Sequence, residues 1–176
     1  MEEKGLPESL PGFDQPLALL RACHTKILAH CDLLEQLVEN IGNAGKEEEN
    51  RSAARRIMTY FSTSARHHHQ DEEIDLFPLL MRQSLKLADL VHGLKQQHRE
   101  LDDLWEAIAA DLKRMQDITD HAALAGRVRS FCELNRRHTR LENMELLPRA
   151  ESILSSRQLK DIGAAMAARR GVRYGN

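Results

Sequence analysis

Aromatic residues are scarce in this chain of 176, with one Trp, two Tyr and four Phe, or 4%. No segment alternates apolar and polar residues in the way a half-buried strand does, so no strand pattern appears anywhere. Long hydrophobic runs are missing too. No stretch reaches the roughly 18 to 20 continuous apolar residues of a membrane span. The start, Met1-Glu2-Glu3-Lys4-Gly5-Leu6-Pro7-Glu8, lacks the basic-then-apolar layout of a signal peptide. Nor does one sign of charge dominate: 25 Lys and Arg against 27 Asp and Glu leave a formal net charge of −2, with both signs mixed throughout. That balance speaks against a nucleic-acid or anionic-membrane partner, and a cytoplasmic protein is expected. The three cysteines, Cys23, Cys31 and Cys132, form no C-x-x-C pair and give an odd count for a disulfide framework. Cys23 and Cys31 lie about 12 Å apart along one helix, too far to bridge, so all three are expected to be small core fillers.

What the chain does have is helical periodicity. Its length suits one domain with a proper core. Residues 1–13, with two prolines and two glycines, read as an N-terminal arm, and Asp14 is placed to cap a helix opening at Pro16. Leu17, Leu20, His24, Ile27, Cys31, Leu34, Val38 and Ile41 then recur at spacings of three and four, the seam of a bundle helix that Gly42-Asn43-Ala44-Gly45 ends. A second seam runs through Ile57, Phe61, Ser64, His68, Glu72 and Leu76, with Pro78 ending or kinking it. The third is Leu87, Val91, Leu94, His98, Leu101, Trp105, Ile108, Leu112 and Met115. The fourth, after a turn with Asp120 as a cap, is Leu124, Val128, Phe131, Asn135, His138, Glu142 and Glu145, before Pro148. Residues 151–176 hold a short fifth helix, capped by Ser155 or Ser156, and a tail from Gly171 to Asn176 expected to fray. The expected fold class is all-α: an up-down-up-down four-helix bundle over residues 14–150 with a short extra C-terminal helix.

Each seam is interrupted by one histidine. Two of those histidines, His68 and His138, are followed four residues on by Glu72 and Glu142, and residues four apart share a helix face. The two stretches echo each other at an offset of seventy, His68-x-x-x-Glu72-x-x-x-Leu76-Phe77-Pro78 against His138-x-x-x-Glu142-x-x-x-Leu146-Leu147-Pro148. A single histidine precedes each, His24 by 44 residues and His98 by 40. Two buried carboxylates cost several kcal/mol each without compensation, and no Lys or Arg lies in these seams, so a metal cation is expected among His24, His68, Glu72, His98, His138 and Glu142. Four imidazoles and two carboxylates, without thiolate, suit iron or manganese, with zinc a further candidate. A register shifted by one, through His69 and Glu73, is the alternative for the second helix; the echo favours His68 and Glu72. His69, about 100° round the helix, would either reach a metal or act behind the ligands. His30, His92 and His121 fall outside the seams, and Tyr60 is expected to pack rather than serve the metals.

His24, then His68-His69-Gln70-Asp71-Glu72-Glu73 with Leu76-Phe77-Pro78, then His98, then His138-Thr139-Arg140-Leu141-Glu142 together resemble the hemerythrin-like, or HHE cation-binding, domain. The resemblance implies a four-helix bundle holding a non-haem centre of two iron ions with an oxo or hydroxo bridge, manganese or zinc being less expected. It makes His24, His68, His98 and His138 terminal ligands and Glu72 and Glu142 bridging ones. Oxygen-carrying members have a second histidine one turn from the third-helix ligand, where this chain has Leu94 and Asp102, and their last acid is five residues after its histidine rather than four. Both features look more like the branch of di-iron proteins for iron–sulfur repair and of iron-sensing members. The function implied is binding or sensing of oxygen, nitric oxide or a related small ligand such as azide. The alternative is a di-iron enzyme or iron donor in nitrosative or oxidative stress, reducing peroxide or nitric oxide or repairing iron–sulfur clusters.

Overall fold

The computed structural model describes residues 11–174; the expectations for residues 1–10 of the arm and for Gly175 and Asn176 of the tail fall outside them. The described residues are all-α, without strands. The first rod is α1 (Pro16–Asn40). The second is built in pieces: α2 (Glu47–Ser62), α3 (Ser64–Gln70), a π-helical turn (Asp71–Leu76) and α4 (Phe77–Met81). The third is α5 (Leu85–Lys113). The fourth is α6 (His121–Leu141), a second π turn (Glu142–Leu146) and α7 (Leu147–Ile153), and α8 (Ser156–Arg169) lies outside the four. Side-chain pairs fix the directions. Along α1, Arg21 reaches Asn143 while Glu35 reaches Arg136, so the first and fourth rods run antiparallel. Gln97 meets His138 and Asp111 meets Arg127, which sets the third against the fourth. The order is up-down-up-down.

Local chemistry accounts for most boundaries. Gly42 and Gly45, at φ of 91° and 84°, take the left-handed conformation that stops α1. Ser84 and Asp120 accept from the backbone of Leu87 and Ala123 to cap α5 and α6, and Ser155 forms a capping box with Gln158 at α8. Asp14 does not cap α1: the turn closed by Gln15 N–H to Gly12 O leaves Gln15 as the boundary residue, and Pro16 starts the helix through its preset φ. The tail is ordered further than expected. Gly171, at φ of 68°, and Val172 donate back to Ala168 and Ala167 in a Schellman closure of α8.

Pro78 does not end its rod, which runs on as α4 to Met81. The π turn ahead of it restarts the helix, so that Pro78, like Pro148 in the other copy, falls in a first helical turn where no N–H is needed. The same interruptions move two seam residues. The break at Thr63 puts Ala65 inward and leaves Ser64 exposed, and the second π turn rotates Glu145 to the surface, where it pairs with Arg149.

Apolar residues form two cores rather than one. The larger holds Ile27, Leu34, Ile57, Phe61, Leu101, Ile108 and Phe131 with their neighbours, and the other holds Leu17, Leu20, Leu76, Phe77, Leu80, Leu94 and Leu146. Each fully buried leucine contributes about 2 kcal/mol of transfer free energy. In α1 His24 falls between Leu20 of one core and Ile27 of the other, and in α5 His98 falls between Leu94 and Leu101. A polar layer therefore sits between two dry ones. Helix α8 closes over the second core through Ile162 and Met166. It is clasped by charge: Arg170 donates to Asp71 at 2.7 Å, and Arg169 to Asp75 at 2.8 Å and to Asp71. The Asp71 carboxylate is wholly buried there.

Candidate metal centre

The polar layer gathers the six residues that the seams single out. His24, His68, His98 and His138 are each 1% exposed and Glu72 and Glu142 0%, and no Lys or Arg is buried among the described residues. The distances are those of donor atoms around common centres. His24 Nε2 lies 3.0 Å from Glu142 Oε2 and 3.8 Å from Glu72 Oε1; His68 Nε2 is 3.3 Å from Glu72 Oε1. His138 Nε2 is 3.1 Å from Glu142 Oε1, and His98 Nε2 is 3.4 Å from Glu72 Oε2 and 3.0 Å from His138 Nε2. Two ligands at right angles on an ion with bonds of about 2.1 Å are about 3.0 Å apart.

Two sets of four donors result, His24, His68, Glu72 and Glu142 on one side and Glu72, His98, His138 and Glu142 on the other, so both carboxylates belong to both. Although these atoms are close, His24 Nε2, both His68 nitrogens and all four oxygens of Glu72 and Glu142 lack a hydrogen bond of acceptable geometry. Buried polar atoms left in that state cost about 1–3 kcal/mol each, more when charged. Cations between them would satisfy all but one nitrogen of His68, and the donors present fit such ions.

Behind the rings, the repeat is kept in a second layer. The residue after each glutamate holds the outer nitrogen of the single histidine belonging to the other copy: Glu73 Oε1 faces His98 Nδ1 at 2.7 Å, and Asn143 Oδ1 faces His24 Nδ1 at 2.7 Å. Gln97 Oε1 does the same for His138 Nδ1 at 2.9 Å. Such partners fix the ring and leave the inner nitrogen free to coordinate. Sequence reasoning treated Glu73 only as a competing ligand and missed Asn143 and Gln97; their signal is their place beside Glu142 and His98. His30 instead stacks on Tyr60 at 3.6 Å, which packs against the larger core, while His92 and His121 are exposed.

Without a cation the layer compensates with protons. Burial opposes charging His24, but the neighbouring carboxylates of Glu142 and Glu72 outweigh it and raise its pKa to about 10. Burial likewise opposes charging His98, which Glu72 and Glu73 raise to about 9. His68 is pushed down by burial to about 4, and burial takes His69 well below the ordinary value. The signs determine the metal-free protein's pH response. Relative to the ordinary histidine value of 6.5, the stabilisation from His24 and His98 is complete below it and is lost as pH rises through about 9 to 10. The low values of His68 and His69 destabilise the fold as pH falls from 6.5 towards 4. Chelated protein should therefore be most stable near pH 6.5, with urea midpoints lower at both pH 5 and pH 10; a midpoint that rises steadily to pH 10 would contradict this.

Comparison with known proteins follows the same lines. The family model described as "Hemerythrin HHE cation binding domain" matches residues 15–150. An uncharacterized protein of Haemophilus influenzae (strain ATCC 51907 / DSM 11121 / KW20 / Rd) is 29% identical over 172 residues, covering 95% of this chain and 96% of that one. A match of that extent runs past residue 150 into α8.

Proposed function

The chain belongs to the hemerythrin HHE cation-binding family, and on that premise we propose that it is a non-haem di-iron protein that binds or senses a small ligand such as oxygen or nitric oxide. One observation carries the reading: four buried imidazoles and two buried carboxylates converge with no buried Lys or Arg to balance them. His24 and His68 would hold one ion and His98 and His138 the other, with Glu72 and Glu142 spanning both. Four imidazoles and two carboxylates without thiolate suit iron or manganese, with zinc a further candidate, and family membership is what puts iron first. When bound, a pair of irons supplies reversible redox change and positions open to an exogenous ligand.

The residues around the ions set what reaches them. Two apolar cores, one on either side of the layer, keep bulk water away and strengthen charge interactions inside it. Glu73, Asn143 and Gln97 hold three imidazoles in fixed tautomers, with the proton on the outer nitrogen. A cavity of about 20 Å³ lies against His69, lined by Ile27, Phe61, Ala65, Leu101 and Phe131 among others, which suits something the size of water or a diatomic rather than an organic substrate.

Anaerobic loading with ferrous iron, followed by metal analysis and optical spectra before and after azide, tests the reading. About two irons per chain and an azide-dependent band are expected from six ligands shared between two ions. One metal or none would overturn it.

A further inference from the structure

We propose that Arg169 and Arg170, at the end of α8, are positioning residues for the metal centre: by gripping the π turn that carries Glu72, they govern how fast iron leaves. This deepens the di-iron reading and rests on its iron-binding layer. The six residues Asp71–Leu76 serve two sides at once. Towards the layer, Glu72 belongs to both donor sets and Glu73 faces the outer nitrogen of His98 at 2.7 Å. Towards α8, Asp71 and Asp75 are held by charge. Arg170 donates to one oxygen of Asp71 at 3.1 Å and to the other at 2.7 Å, and Arg169 donates to Asp71 and, at 2.8 Å, to Asp75. Asp71 is wholly buried, so any movement of the turn that carried Glu72 out of the layer would part a buried carboxylate from both of its counter-ions. The grip therefore resists release.

The internal repeat shows that this anchoring belongs to one copy. Where the first copy has Asp71 and Asp75, the second has Leu141, packed against the second core, and Glu145, paired at the surface with Arg149 of its own rod. The turn carrying Glu142 is held from α1 instead, by Arg21 on the carbonyl of Asn143 at 3.0 Å. Only the turn carrying Glu72 depends on a helix beyond residue 150, where the family match ends. That helix has a seat apart from its arginines. Ile162 and Met166 lie on the second core, and Gly163 approaches the arm so closely that a Cβ there would overlap the carbonyl oxygen of Phe13. The Phe13 ring in turn meets Tyr174 edge-on, with centroids 5.8 Å apart. Replacing the arginines thus tests the grip rather than the docking of α8.

Full-length Arg169→Gln/Arg170→Gln, saturated with ferrous iron, should match wild type in iron content and azide spectrum but lose iron to a ferrous chelator at least about tenfold faster. Val128→Ala, which opens space in the larger core away from α8, should lower the melting temperature yet release iron at the wild-type rate. Release from the double variant at the wild-type rate would overturn the assignment, and so would rates that simply follow melting temperature across both proteins. If the double variant does not fold, Arg169→Gln alone decides, because it frees Asp75 while leaving Arg170 on both oxygens of Asp71. Faster release supports the grip, and an unchanged rate overturns it. Iron content of the wild type reads the premise separately: one iron per chain would overturn the di-iron reading while the ratio of release rates still decided the role of the arginines, and none would overturn both.

Discussion

Glu72→Ala should reduce iron from about two per chain to less than one, whereas Glu73→Ala should keep both ions and weaken their hold by about ten- to a hundredfold. The two residues are neighbours, and the difference is one of layer. One oxygen of Glu72 lies 3.3 Å from His68 Nε2 and the other 3.4 Å from His98 Nε2, so truncation removes a donor from both metal positions at once. It also leaves Glu142 as the only buried carboxylate there, with less negative charge to balance a pair of dications. Glu73 stands behind His98, 2.7 Å from its outer nitrogen, and its loss frees the ring without removing a ligand. Metal analysis after anaerobic loading and desalting reads both variants. Retention of two irons in Glu72→Ala, with loss in Glu73→Ala, would put the ligand register of this rod one residue further on.

Chelation of both ions should lower the melting temperature by about 16–32 °C. Ions present at a thousandfold their dissociation constant stabilise the folded state by about 4 kcal/mol per site, and a chain of this size shifts by about 2–4 °C per kcal/mol. The metal-free fold should nonetheless persist. Its two buried carboxylates recruit protons onto His24 and His98, which replaces part of the lost charge. Calorimetry on matched samples with and without chelator decides, and a transition that moves by less than about 2 °C would show that the ions do not contribute to holding the rods together.

The features legible in the sequence were those with a period. Leu17 to Ile41 and Leu87 to Met115 give two unbroken rods, and each histidine that interrupts an apolar seam lies in the buried layer. The π turns were not legible, because one extra residue per turn leaves the apolar pattern intact on either side: Leu76 and Phe77, and Leu146 and Leu147, remain buried. Carrying a 3.6-residue period through such a turn places Glu145 inward, and the structure has it outside. His69 is the clearer case. Its angle on an ideal helix takes it away from the seam, yet one of its ring nitrogens lies within 4.8 Å of those of His98 and His138. The pairing of Asp71 with Arg169 and Arg170 had no local signal either, the partners being 98 and 99 residues apart.

That last separation bears on how the chain is made. Asp71 is next to Glu72, so a buried carboxylate adjoins a metal-binding one, and its counter-ions come from near the other end of the chain. At synthesis rates of about 5–20 residues per second, roughly 5–20 s pass between the emergence of Asp71 and that of Arg170. During that interval Asp71 lacks the two arginines that pair with it in the fold, and burying an unpaired carboxylate is unfavourable. The clasp on Asp71 can therefore form only after all four rods of the bundle have been made.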